Sequence, residues 1–174
     1  MPLTALLQSA CISESKIIEN HIGISVEYIK IEKPTKNLLL FRSDGCHEFH
    51  DVFLPCLRNE PSPKCCDGLA LYINTENTQC PLTICFVELK GKNVDDAVEQ
   101  ILDTYEPIRT YLKAAGISES KIKWKAVIIS SRGCSDIVQK LKPLTDKFDK
   151  RGEKNVDHRV ARSKTFPITD FITA

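Results

Sequence analysis

No apolar run in this chain of 174 residues approaches the roughly 20 residues that a membrane-spanning helix needs, so a helical membrane protein is not expected. The opening MPLTALLQSACIS has no basic stretch and only a short apolar one, which predicts no signal peptide and a cytosolic protein. Net charge is nearly absent too. Lys and Arg number 24 against 23 Asp and Glu, a formal +1, so overall basicity does not advertise a nucleic-acid partner. No Cys-x-x-Cys pair occurs among the eight cysteines, and no helix-turn-helix or zinc-finger module is recognisable. In a reducing compartment these cysteines are not expected to form a disulfide framework. Cys80, Cys85 and Cys134 read as small buried hydrophobes. The residues Cys46, His47, His50, Cys56, Cys65 and Cys66 gather in one region, but only Cys46 and His50 have a spacing suited to structural Zn²⁺.

What is present is ordinary globular composition, 42% hydrophobic and 27% charged, enough for one domain with its own core. Its most informative stretch is Cys66 to Gly91, CDGLALYINTENTQCPLTICFVELKG. Two apolar runs, Gly68–Ile73 and Leu82–Leu89, flank the polar connector Asn74–Pro81, the pattern of a β-hairpin. Asp67 stands before the first run. Glu88 and Lys90 close the second, one residue apart and so on one face of a strand. Antiparallel pairing brings the start of one strand beside the finish of the other, so two carboxylates and an amine converge. Such oxygen donors suit Mg²⁺ or Mn²⁺. A nearby lysine can orient or deprotonate a water and stabilise charge developing on a phosphate. Charges at strand ends are equally ordinary solvated punctuation.

The arrangement resembles the PD-(D/E)xK, or restriction-endonuclease-like, nuclease superfamily, through Asp67, then Glu88-Leu89-Lys90, with a helix-forming segment directly after. Cys66 stands where that family commonly has Pro. The resemblance covers roughly Cys66 to Lys164 and implies that Asp67, Glu88 and the backbone carbonyl of Leu89 bind the metal while Lys90 acts in catalysis. Some members add an acidic residue or a His upstream, for which Glu48 and His47 are the candidates, with His50 behind them. The family often places a Gln on the following helix, here Gln100. One branch has Gln-x-x-x-Tyr, whereas Tyr105 lies one residue too far along.

In chain order, Met1–His21 reads as one amphipathic helix or two short ones. Gly23–Lys33 alternates like a half-buried strand, and Leu38–Phe41 resumes an apolar run, together an additional hairpin. Ser43–Pro63 is polar and proline-rich, a loop able to reach over the site. Asn93–Ala115 is a helix with Val94, Ala97, Val98, Ile101, Leu102, Tyr105, Ile108 and Leu112 on its core face, Gly116 as its stop and Pro107 as an expected kink. Lys123–Ser130 is a buried strand, Ser135–Lys150 a second helix using Ile137, Val138, Leu141, Leu144 and Phe148, and a last strand falls within Lys154–Lys164. The tail Pro167–Ala174 packs or frays. Lys121, Lys123, Lys125 and Lys147, Lys150, Arg151, Lys154 form basic clusters that suit phosphate or a solvated helix face.

These readings predict an α/β domain over residues 1–174, a mixed central sheet flanked by helices: N-terminal helix, hairpin and loop over 1–63, catalytic core over 64–164, tail over 165–174. The function expected is Mg²⁺-dependent hydrolysis of nucleic acid, DNA before RNA, in defence, repair or recombination. Cutting two strands implies a homodimer, and the missing DNA-reading module implies specificity from loops, the dimer or a partner protein. The competing expectation is a non-catalytic binding subunit of the same fold with zinc held by its cysteines.

Overall fold

The computed structural model describes residues 16–19, 22–25, 38–43, 65–90, 93–149, 153–160 and 165–174. Its centre is a five-stranded mixed sheet in the order β3-β4-β5-β6-β7. The strands are β3 (Leu38–Arg42), β4 (Gly68–Ile73), β5 (Leu82–Lys90), β6 (Ile122–Ser130) and β7 (Val156–Val160). β4 runs antiparallel to both of its neighbours, β3 and β5, and β5, β6 and β7 run parallel. The hairpin turn between β4 and β5 is built by side chains: Asn74 Oδ1 accepts the Glu76 and Asn77 amides, and Asn77 Oδ1 accepts those of Gln79 and Cys80. Asn and Asp residues in this way replace backbone partners that a tight turn cannot supply.

Helix α1 (Val94–Ala114) links β5 to β6, and α2 (Ile137–Phe148) links β6 to β7. Asn93 caps α1 through the Asp95 amide, and Asp95 and Asp96 lie in its first turn, where the helix dipole favours negative charge. Gly116, at φ +81°, ends it: the Ile117 amide reaches back to the Leu112 carbonyl at 2.9 Å, which needs the left-handed conformation glycine adopts without strain. The helices cover one sheet face, where Leu69, Leu71, Ile84, Phe86, Trp124 and Ile128 meet Ile101, Tyr105, Ile108, Leu144 and Phe148. Four rings form the centre of this layer. Phe86 stacks with Trp124 at 6.0 Å and Phe148 at 5.9 Å, and Tyr105 meets Trp124 edge-on at 4.9 Å.

The opposite face is covered by α3 (Thr169–Thr173), whose Ile172, with Ile168 before it, packs on Leu40, Ala70, Cys85, Val87, Val127 and Ile129. The tail therefore packs rather than frays. Lys125 is sealed beneath it at 2% exposure, its ammonium donating to the Phe171 carbonyl and lying 4.8 Å from that ring. Burial pulls its pKa below the usual lysine range.

Several expectations are corrected. The latter part of the expected Met1–His21 helix is strand β1 (Lys16–Glu19), antiparallel to β2 (Ile22–Ser25). Paired Ile17 and Ile18 are β-branched, and cross-strand hydrogen bonding overrides a weak helical period. Among the described residues β2 does not pair with β3, and residues 26–37, the rest of the expected hairpin, lie outside them. β2 instead pairs parallel with β8 (Thr165–Pro167) in a separate three-stranded sheet, while β3 pairs with β4. Val138, expected in the core, is 83% exposed. Both occurrences of ISESKI end where a strand begins, at β1 and β6.

Two measurements check this packing. Phe86→Ala is expected to cost about 3–5 kcal/mol in urea denaturation, because the cavity opens at the ring cluster. Folding lowers the Lys125 pKa, so the unfolded chain keeps that proton to higher pH than the folded one. Its contribution to stability thus rises as pH climbs towards 10.5 and is smallest below the folded value. The difference in unfolding free energy between wild type and Lys125→Met, followed from pH 7 to 10.5, should carry that slope.

Candidate functional site

The β4–β5 register pairs Gly68 with Val87, and one step further sets Asp67 beside Glu88. The two residues lock each other. The Asp67 amide donates to Glu88 Oε2 at 3.0 Å, and the Leu89 amide donates to Asp67 Oδ2 at 2.6 Å. Lys90 Nζ lies 2.6 Å from Glu88 Oε1. Glu88 has no exposed side-chain surface, and a buried carboxylate is tolerated only when hydrogen-bonded and paired with a cation, as here. The Ser131 amide bonds the Lys90 carbonyl on the β6 side, so strand alternation turns the Leu89 carbonyl towards the β4 side, where Asp67 stands. Asp67, Glu88 and Lys90 are thus brought together at the sheet end, with the Leu89 backbone between them.

A second set of side chains holds the segment leading into β4. Ser43 Oγ donates to the Cys66 carbonyl at 2.5 Å, and the Ser43 amide to the Asp67 carbonyl at 3.1 Å. Thr104 Oγ1 accepts the Cys66 amide at 2.9 Å and donates to the Gln100 carbonyl at 2.7 Å. Gln100 Nε2 donates to the Cys65 carbonyl at 3.2 Å. Gln100 is therefore a brace for the backbone before Asp67, neither a surface amide nor a group in contact with the carboxylates. Thr104 lies four residues after Gln100 and so on the same helix face, whereas Tyr105 is turned into the ring cluster. Sequence reasoning missed Ser43 and Thr104, because only the fold brings positions 23 and 38 residues away to Cys66.

The helix-facing row continues across the sheet. Glu88 registers with Ile128 and Ile128 with His158, while Lys90 registers with Ser130. Ser130 Oγ lies 2.8 Å from His158 Nε2 and donates to the Arg132 carbonyl at 2.6 Å. Burial draws the His158 pKa below the usual histidine value, partly offset by the neighbouring Asp157 carboxylate. Neither Ser130 nor His158 carries a sequence signal of its own. The register of three parallel strands is what assembles them.

His47, Glu48 and His50, with Cys46 and Cys56, lie outside the described residues. Cys65 and Cys66 belong to the core. Burial, and next the Glu88 charge, push the Cys66 thiol up to about 12, and its Sγ donates to the Gly68 carbonyl at 3.3 Å. The lysine clusters are largely committed as well. Lys121 bonds the Thr78 carbonyl, Lys123 pairs with Glu153, and Lys147 pairs with Glu106 over the Tyr105 ring. Lys150 and Arg151 lie outside the described residues. A cavity of about 630 Å³ lies at the other end of the sheet, lined by Thr83, Ile122, Lys123 and Asn155 among others, far from the carboxylates.

Among the described residues, no three His, Cys, Asp or Glu side chains form a metal-binding group. Two carboxylates and a backbone carbonyl, all hard oxygens, nevertheless fit Mg²⁺ or Mn²⁺, which keep several waters and need one or two carboxylates. Among the described residues no helix is long and apolar enough to cross a membrane. The chain is an α/β protein with a five-stranded mixed sheet flanked by helices. Comparison with protein-family models, with curated proteins and with solved structures found no match.

Two outcomes test this geometry. Thr104→Val orphans the buried Cys66 amide and should cost about 1–3 kcal/mol in urea denaturation. In native protein at pH 8, iodoacetamide should leave Cys66 and Cys85 unlabelled while modifying the partly exposed Cys134, as read by peptide mass spectrometry. Early labelling at Cys66 would contradict the packing described.

Proposed function

We propose that this chain is a metal-dependent nuclease with a restriction-endonuclease-like core, hydrolysing phosphodiester bonds of nucleic acid, with DNA the favoured substrate. The observation that carries the reading is the convergence of Asp67, Glu88 and Lys90 on one face at a sheet end, each held by the next. Asp67, Glu88 and the Leu89 carbonyl would hold Mg²⁺ or Mn²⁺. When bound, the ion supplies positive charge to the phosphate and makes water more acidic.

The chain's own residues supply the rest. The Asp67 and Leu89 amides fix both carboxylates before substrate arrives, so little reorganisation is left for the reaction itself. Lys90, partly exposed at 23%, presents an ammonium that anchors Glu88 and stabilises the negative charge growing on phosphate oxygens. Ser43, Thr104 and Gln100 act at one remove, by fixing the backbone that aims Asp67. Specificity in this reading comes from loops, from a second copy in a homodimer or from a partner protein, and a dimer would place two sites for two strands.

The test is cleavage of supercoiled plasmid, linear duplex, single-stranded DNA and RNA with Mg²⁺, Mn²⁺ or EDTA. Metal-dependent cutting is expected, reduced at least about 10²–10³-fold by Lys90→Ala and by the near-isosteric Asp67→Asn and Glu88→Gln. Circular dichroism checks that each variant folds. Cutting that survives all three would overturn the site assignment. No cutting on any substrate would favour a non-catalytic binding subunit.

A further inference from the structure

Of the five polar side chains in the arc Asp67, Glu88, Lys90, Ser130 and His158, Lys90 and His158 are the two that are partly exposed rather than buried. Ser130, fully buried, stands between them: in register with Lys90 on β5 and 2.8 Å from His158 on β7. Neighbouring strands lie about 4.8 Å apart, so the Glu88 and His158 backbones are separated by about 10 Å along one cross-sheet row. Lys90 and His158 stand on the two strands that flank Ser130, both partly exposed.

The hydrogen bonds also fix the state of the imidazole. Ser130 has one hydroxyl proton, and it goes to the Arg132 carbonyl. Ser130 Oγ therefore accepts from His158, which puts the ring proton on Nε2 and the lone pair of the neutral ring on Nδ1. Lys90, held as an ammonium by Glu88, has three donors and no acceptor. Phosphodiester hydrolysis needs a proton acceptor, and among these five residues His158 is the neutral base.

We propose that His158, positioned by Ser130, is the proton acceptor of the strand-end site, an inference that rests on the nuclease reading. Water oxygen bonds to phosphorus as the bond from phosphorus to the leaving ester oxygen breaks. The water proton passes to His158 Nδ1, giving imidazolium, while the leaving oxygen takes a proton from bulk water. The imidazolium then returns its proton to solvent. Among the described residues the charged group that acts on the ring is Asp157, next in the strand, with Lys90 and Glu88 further along the row beyond Ser130 and Ile128. α2 buries only Leu141, Leu144 and Phe148, all apolar. Burial is the largest influence on the ring and favours its neutral form.

The experiment is the pH–rate profile of DNA cleavage at saturating Mg²⁺ for wild type, His158→Gln, His158→Ala and Ser130→Ala, with the His158 pKa read separately by NMR. Wild-type rate should fall as pH drops, with a midpoint that matches the NMR value and lies below 6.5. His158→Gln should lose about 10²–10⁴-fold and the acid limb with it, and added imidazole should restore part of the His158→Ala rate. Ser130→Ala should move the midpoint. A wild type that cuts nothing overturns the nuclease reading and this role together. A wild type that cuts, beside a His158→Gln of equal rate and unchanged profile, overturns His158 alone.

Discussion

Two carboxylates placed side by side repel, and each would rather be protonated or solvated than buried with the other. The β4–β5 hairpin holds them through a reciprocal exchange: the amide of one acidic residue serves the carboxylate of the other, and the amide after Glu88 serves Asp67. Lys90 neutralises the fully buried member. Charge-assisted bonds of this kind are roughly twice as strong as neutral ones and are shorter. The start of β4 and the close of β5 are therefore fixed relative to each other by the same groups that make the site.

That exchange depends on layers of packing behind it. The hairpin stays in register because its alternate residues enter two different cores, Leu69, Leu71, Ile84 and Phe86 beneath α1 and α2, and Ala70, Cys85 and Val87 beneath α3. A slip of one residue would exchange the two sets and turn Glu88 to the wrong face. Thr104 and Gln100, one turn apart on α1, tie the helix to the backbone just before Asp67. Helix packing is thereby converted into the aim of a carboxylate. The surface pairs, such as Lys140 with Asp95 and Arg109 with Glu119, are screened by solvent and do not set this geometry.

The distribution of cations carries its own lesson. A run of alternating lysines suggests a positive surface for phosphate, yet Lys123 and Lys125 occupy a strand, with Lys121 just before it, and the two share the sheet face where the C-terminal segment takes up their donors. Lys125 is buried against Phe171, and Lys123 pairs with Glu153. Lys90, the cation aligned with the carboxylates, belongs to none of those clusters. Charge counted along a sequence does not locate charge in space.

The sequence by itself determined the α/β class, the β4–β5 hairpin with its Asn-rich turn, the long helix from its Asn93 cap to its Gly116 stop, and the meeting of Asp67, Glu88 and Lys90. All of these follow from local periodicity and from the two-residue alternation of strands, which short stretches of chain enforce unaided. Only the tertiary structure decided which strands pair across long separations. It sent Lys16–Glu19 into a sheet rather than a helix, placed β3 beside β4, and docked the C-terminal Ile172 over the second core. It also brought Ser43 and Thr104 to the backbone before Asp67, and Ser130 to His158. Those contacts span 23 to 38 residues, and no periodicity within a segment encodes its partner. The physical reason is burial: the pairing chosen is the one that covers both apolar faces of the central sheet at once, a property of the whole chain rather than of any stretch within it.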